Sequence, residues 1–80
     1  MINVQPGEEI VRMLAELPML MVVTDVKDGI ITCAAKEKDG RLFYGGWTFD
    51  QATGAEIDED LHWGPKYGIT GSFLTPKEEK

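Results

Sequence analysis

Cys33 and His62 are the two side chains here with the chemistry of a nucleophile and its base, and each is the only residue of its type in the chain. A cysteine attacks as its thiolate, which a neighbouring base or cation must stabilise. Cys33 stands between Thr32 and Ala34 in a run of small and β-branched residues. A free cysteine in that setting packs as a small hydrophobe, so it is expected in the core. One cysteine and one histidine also fall short of a disulfide framework and of a structural zinc site. His62 is expected on a loop, in solvent or hydrogen-bonded.

The carboxylates are more concentrated. Asp50, Glu56, Asp58, Glu59 and Asp60 fall between Arg41 and Lys66, a stretch without a basic residue. Calcium takes six to eight oxygen ligands, and an EF-hand loop starting at Asp50 would need them at fixed positions. Ala52 and Gly54 occupy the third and fifth positions and Leu61 the twelfth, so no such loop is built. A carboxylate pair for glycoside hydrolysis needs an enclosing sugar cleft, which a chain of 80 residues scarcely houses. No catalytic residue, metal or cofactor is expected. The acidic stretch reads instead as a negative surface. It could keep the protein soluble, or imitate the phosphate spacing of nucleic acid and occupy the basic channel of another protein.

Tyr44, Trp47, Trp63 and Tyr67 could line an aromatic groove for an extended peptide. Core demand competes for them. At least half of the seven aromatics are expected to be buried, with one or two of these four exposed. Trp63 leads the exposed candidates, because Gly64-Pro65 holds it on a loop beside His62 and the acidic stretch. The candidate binding surface is therefore Asp50, Glu56, Asp58, Glu59, Asp60, Trp63 and Tyr67.

Several elements must position these residues. From residue 20 to 26 the chain is rich in β-branched residues, Lys27-Asp28-Gly29 is a turn, and a second strand runs from 30 to 36. A turn at Lys38-Asp39-Gly40 leads to a third strand over 41–49, with Phe43, Gly45, Trp47 and Phe49 on one face. A three-stranded meander is expected. Ahead of it, Pro6, Glu8 and Glu9 with Ile10, Met13, Leu14 and Leu17 at helical spacing read locally as a short helix stopped by Pro18. Past Asp50 the glycines at 54, 64, 68 and 71 and Pro65 exclude a long regular element. One helical turn over 56–61, an ordered loop and a last strand over 69–74 are expected, followed by a polar tail at 75–80.

The bulk properties agree with one small domain over residues 1–80, folded from 6 to 74. Such a chain has room for one core and little stability to spare. All seven aromatics lie in the carboxyl-terminal half, whereas the amino-terminal half relies on Ile, Val, Leu and Met, so the two halves are expected to share that core. A net charge of −6 repels phosphate backbones and anionic membranes, so direct nucleic-acid or membrane binding is not expected and a protein partner with a basic surface fits better. The longest uncharged apolar run, residues 17–23, is too short to cross a bilayer. A cytoplasmic location is the expectation. The same run could form an exposed sheet edge and support a homo-oligomer.

Pro6-Gly7-Glu8 and the run Met21-x-Val23-x-x-Val26-x-x-Gly29-x-x-Thr32-Cys33 resemble the YodC-like family of small proteins. The resemblance implies an SH3-like barrel in which residues 9–14 form a strand. The chain departs from that pattern with Glu16-Leu17 before Pro18 and with Ala34-Ala35 in place of an aromatic pair. A second stretch, Trp47-x-Phe49-Asp50 through Thr53-Gly54-x-Glu56-Ile57-Asp58, Leu61, Trp63-Gly64-Pro65 and Thr70-Gly71-Ser72-Phe73, resembles the tail of small phage and prophage proteins.

The fold expected is mainly β, a small SH3-like, partly open antiparallel barrel with a long irregular carboxyl-terminal loop. The alternative is an α+β fold with a short amino-terminal helix on a β-meander. The strand is preferred at residues 9–14 because tertiary context overrides weak local propensity. The function expected is a non-catalytic protein-interaction module of phage or prophage type. An anti-defence inhibitor mimicking nucleic-acid charge, or a structural protein forming a homo-oligomer, are the alternatives.

Overall fold

Alternation along the chain now has a three-dimensional meaning. The computed structural model describes residues 1–75 and contains six strands: β1 Glu9–Leu14, β2 Leu17–Lys27, β3 Ile30–Lys36, β4 Leu42–Asp50, β5 Glu56–Ile57 and β6 Ser72–Thr75. All pairings are antiparallel, in the order β5-β4-β3-β2-β1-β6. The outer strands meet through a bridge between Ala55 and Phe73, and the Leu74 amide donates to the Gly54 carbonyl at 2.8 Å. The result is an all-β, nearly closed SH3-like barrel.

Residues 9–14 form a strand, the element preferred there, and the helix read from local spacing is not formed. Ala15 and Glu16 turn the chain with φ of 50° and 72°. Two successive positive φ values make a turn whose twist matches that of a hairpin. Asp28 and Gly29 repeat this device between β2 and β3, with φ of 55° and 79°. The run at 17–23 lies in β2, where Met21 and Val22 are flanked by both β1 and β3 while, among the described residues, 17–20 pair with β1 alone. The last strand begins at Ser72 and not at residue 69, because Thr70 is drawn into a turn, its hydroxyl donating to the Ser72 carbonyl at 2.7 Å. Residues 56–61 hold β5 and a turn instead of a helical turn. Between β5 and β6 the chain is irregular but tied down by the bridges Asp58 to Trp63 and Gly64 to Ile69. Thr75 belongs to β6, and the rest of the expected polar tail, residues 76–80, lies outside the described residues.

The barrel interior is packed by Ile10, Met21, Val23, Ile31, Cys33, Phe49 and Leu74, drawn from both halves of the chain. Ile2, Val4 and Val26 pack against this cluster, and the Ile2 amide donates to the Gln51 carbonyl at 2.9 Å. The packed body thus starts ahead of Pro6. Phe49 is the one aromatic that is fully buried, against an expectation of at least half. So narrow an interior is filled by aliphatic side chains, and it also admits Arg12, Glu56 and Ser72.

Cys33 points into this interior, where loss of hydration pushes its thiol up to about 12. Burial penalises the thiolate, so the thiol stays protonated through neutral pH. Between the ordinary value of 9.0 and about 12 the folded chain holds a proton that the unfolded chain releases, so stability falls as pH rises through that window. Iodoacetamide is expected to alkylate the native protein slowly, with no rise in rate from pH 7 to pH 9, and to alkylate it readily in denaturant. Labelling of the native protein at the rate of a free thiol would show that Cys33 is reachable.

Candidate functional site

The acidic stretch does not form one charged surface. Glu56 faces inward on β5, opposite Phe49, and is buried. Its Oε1 accepts from Arg12 Nε at 3.1 Å and from Nη2 at 2.8 Å, while Nε also donates to Ser72 Oγ at 2.9 Å. Asp50 Oδ2 accepts from the Thr53 amide and hydroxyl, both at 2.9 Å. Asp58 Oδ1 caps the amides of Asp60 and Leu61 at 3.0 and 3.2 Å. These two are turn-forming carboxylates, a use for which aspartate is favoured. Glu56 therefore leaves the expected binding surface, and Glu59 and Asp60 are the carboxylates of the stretch that stand exposed.

The loop aromatics are engaged as well. Trp63 is half-buried, its indole lying so close over Gly71 that a Cβ there would approach the ring to 2.6 Å. It is not the exposed aromatic that the loop position suggests. Tyr67 donates its hydroxyl to Glu59 Oε1. That hydrogen bond, with the carboxylate's charge beside it, holds the phenol above its usual range. His62 is exposed and meets Tyr67 edge-on, with ring centroids 5.1 Å apart. Cys33 in the core and His62 on the loop thus occupy different parts of the fold. A shallow groove of about 250 Å³ beside this loop is lined by Thr53, Ala55, Pro65, Ile69 and Thr70, with no titratable side chain. Among the described residues no three His, Cys, Asp or Glu side chains are grouped to hold a metal ion, and no helix is long and apolar enough to cross a membrane.

A different cluster gathers at one mouth of the barrel. Phe43 and Trp47 both face inward from β4, opposite Ala35 and Cys33 of β3. Four positions on β4 span only two on β3, so Tyr44, Gly45 and Gly46 bulge against Ala34 and bend the strand outward. Gly45 has no side chain to obstruct Trp47, whose ring would lie 2.6 Å from any Cβ at that position. The folded-back indole meets Phe43 at a centroid distance of 5.7 Å and carries the Arg12 guanidinium over its face at 5.8 Å. Arg12 Nη1 in turn reaches Met19 Sδ at 3.7 Å. Leu17, two residues before Met19 on the same face of β2, extends the cluster to the hairpin tip.

Comparison of the chain with family models, curated proteins and solved structures finds no match to any of them.

Large apolar side chains meet water at this mouth. Leu17 is 66% exposed, Phe43 58% and Tyr44 70%. Isolated exposed apolar residues are ordinary, but a contiguous group of them on a small monomeric domain marks a contact surface. Tyr44 and Trp47 were legible as groove candidates. Phe43, Met19 and Leu17 were not, because Phe43 shares a strand face with Phe49 and the other two lie ahead of the strand expected over 20–26. The signal that could have found them is Gly45-Gly46 within a strand, which announces a bulge or a close approach.

Proposed function

We propose that this protein is a non-catalytic interaction module whose binding surface is the barrel mouth, formed by Leu17, Met19, Phe43, Tyr44 and Trp47. The observation that carries the reading is the chain of contacts from Phe43 through Trp47 and Arg12 to Met19. Arg12 is anchored from below by Glu56 and Ser72, so the apolar rim is held on a rigid floor. Rigid aromatic anchors limit the side-chain entropy lost on binding. The partner that suits this surface is a protein segment inserting apolar side chains, the mode by which small barrels take extended peptides. The resemblance of residues 47–74 to phage and prophage proteins supports a phage setting for such a module. The charge-mimic alternative has less geometry behind it, since Glu56 is buried and Asp50 and Asp58 hold turns.

Panning a displayed random-peptide library against the protein tests this reading. Enriched peptides are expected to carry apolar residues and to lose at least tenfold in affinity on Phe43→Ser, the loss of about 1.4 kcal/mol that one exposed anchor supplies. They are expected to bind unchanged to a chain carrying Glu59→Gln and Asp60→Asn. Peptides that respond only to the loop changes would return the binding surface to the acidic stretch, and a library that yields none would overturn the proposal.

A further inference from the structure

The outer face of β6, β1 and β2 breaks the rule that the solvent side of an antiparallel sheet is polar. The register sets Val11 beside Leu20 and Thr75, and Met13 beside Pro18 and Phe73. Val22, opposite Glu9, extends the apolar surface along β2. Phe73 is 46% exposed and Leu20 38%. The inversion is local on β1, where Arg12 points into the barrel two residues after the buried Ile10, while Val11 and Met13 on either side of it point out. A barrel that accommodates an arginine in its interior has an apolar exterior here that its own packing does not use.

From these observations we infer that this face is a self-association surface, on which a second copy of the chain packs sheet to sheet about a two-fold axis. Three features select a second copy as the occupant. Residues 76–80, Pro-Lys-Glu-Glu-Lys, carry no large apolar side chain to lay over the face. The charges at the face, Glu9 and Lys36, pair with each other at 2.6 Å, so two copies can meet there without bringing together the carboxylates behind the net charge of −6. An apolar β-face can also be self-complementary, since two such faces interdigitate about 10 Å apart with their strands nearly aligned.

The size of the patch sets the strength. Three strands about 4.8 Å apart and five residues long cover roughly 14 by 17 Å. Two such faces bury less than the roughly 1,200 Å² of the smallest standard interfaces, which makes the dimer weak and concentration-dependent. The inference is independent of the mouth surface, which lies on the inner faces of β2 and β4.

Sedimentation velocity across about 10 μM to 1 mM, the range in which so small an interface operates, tests it. The expected result is a monomer that converts to a dimer as concentration rises. Leu20→Glu and Phe73→Glu, made singly, are each expected to weaken the dimer at least tenfold, while Phe43→Ser at the mouth leaves it unchanged. Because a charge at residue 73 could also unfold β6, wild-type amide shifts followed on dilution provide a second readout. They are expected to change at Val11, Met13, Leu20, Val22 and Phe73. A protein that stays monomeric throughout, a dimer indifferent to both face changes, or dilution shifts confined to other residues would each overturn the inference.

Discussion

Glu56→Ala is expected to remove about 3–5 kcal/mol of stability, the cost of leaving a buried charge without its partner. Arg12 would keep its place among Trp47, Met19 and Ser72 but lose the carboxylate that holds two of its nitrogens. At about 0.05–0.15 kcal/mol per residue, a chain of 80 residues has a total stability of about 4–12 kcal/mol, so the loss consumes much of it. A thermal melt should shift down by more than about 12 °C, taking about 4–8 °C per kcal/mol for a domain of this size.

The paired change Arg12→Met with Glu56→Leu should recover most of that loss, because apolar residues of similar volume often replace a buried ion pair at little net cost. The double-mutant cycle would then report a large coupling between residues 44 positions apart in sequence. If Glu56→Ala costs under about 1 kcal/mol, the pair is behaving as exposed ion pairs do, and the rigid floor assigned to the mouth loses its basis.

This ion pair also explains why part of the molecule was hard to read from sequence. Glu56 sits among surface-type carboxylates, and its partner lies on the first strand. Nothing local separates it from Asp58 or Glu59. On β1 the same pair misled the periodicity: with Arg12 inside and Val11 and Met13 outside, the apolar residues fall at helical spacing instead of alternating. The hairpins were legible because their signals are local. Lys27-Asp28-Gly29 states its own turn, and β2, β3 and β4 follow in the expected meander with ends shifted by a few residues. The mouth was only half legible. Its aromatics stood out by type, but their exposure depends on a bulge that places Phe43 and Trp47 four residues apart yet side by side.

Gly54→Ala is expected to be the most damaging single change at a glycine, by about 2–5 kcal/mol, and the reason is the closure of the barrel. Gly54 has a φ of 84°, a conformation that costs an L-residue about 1–2 kcal/mol. A methyl group there would also lie 2.9 Å from the Leu74 carbonyl oxygen and 3.1 Å from Ile2 Cδ1, and such overpacking adds about 1–3 kcal/mol. Leu74 belongs to the seam, donating to the Gly54 carbonyl, and Ile2 is tied beside it by its amide's bond to the Gln51 carbonyl at 2.9 Å. Relief of the clash therefore requires β6 or the amino-terminal segment to move. Gly7→Ala is the informative comparison, because φ there is 96° yet no atom lies within 4 Å of the added carbon. It should cost only the conformational part. Amide exchange at Leu74 should accelerate in the Gly54 variant and not in the Gly7 variant, since only the former pries the seam apart. Equal melting temperatures for the two variants would show that backbone conformation alone sets the cost, and that Gly54 does not hold the barrel shut.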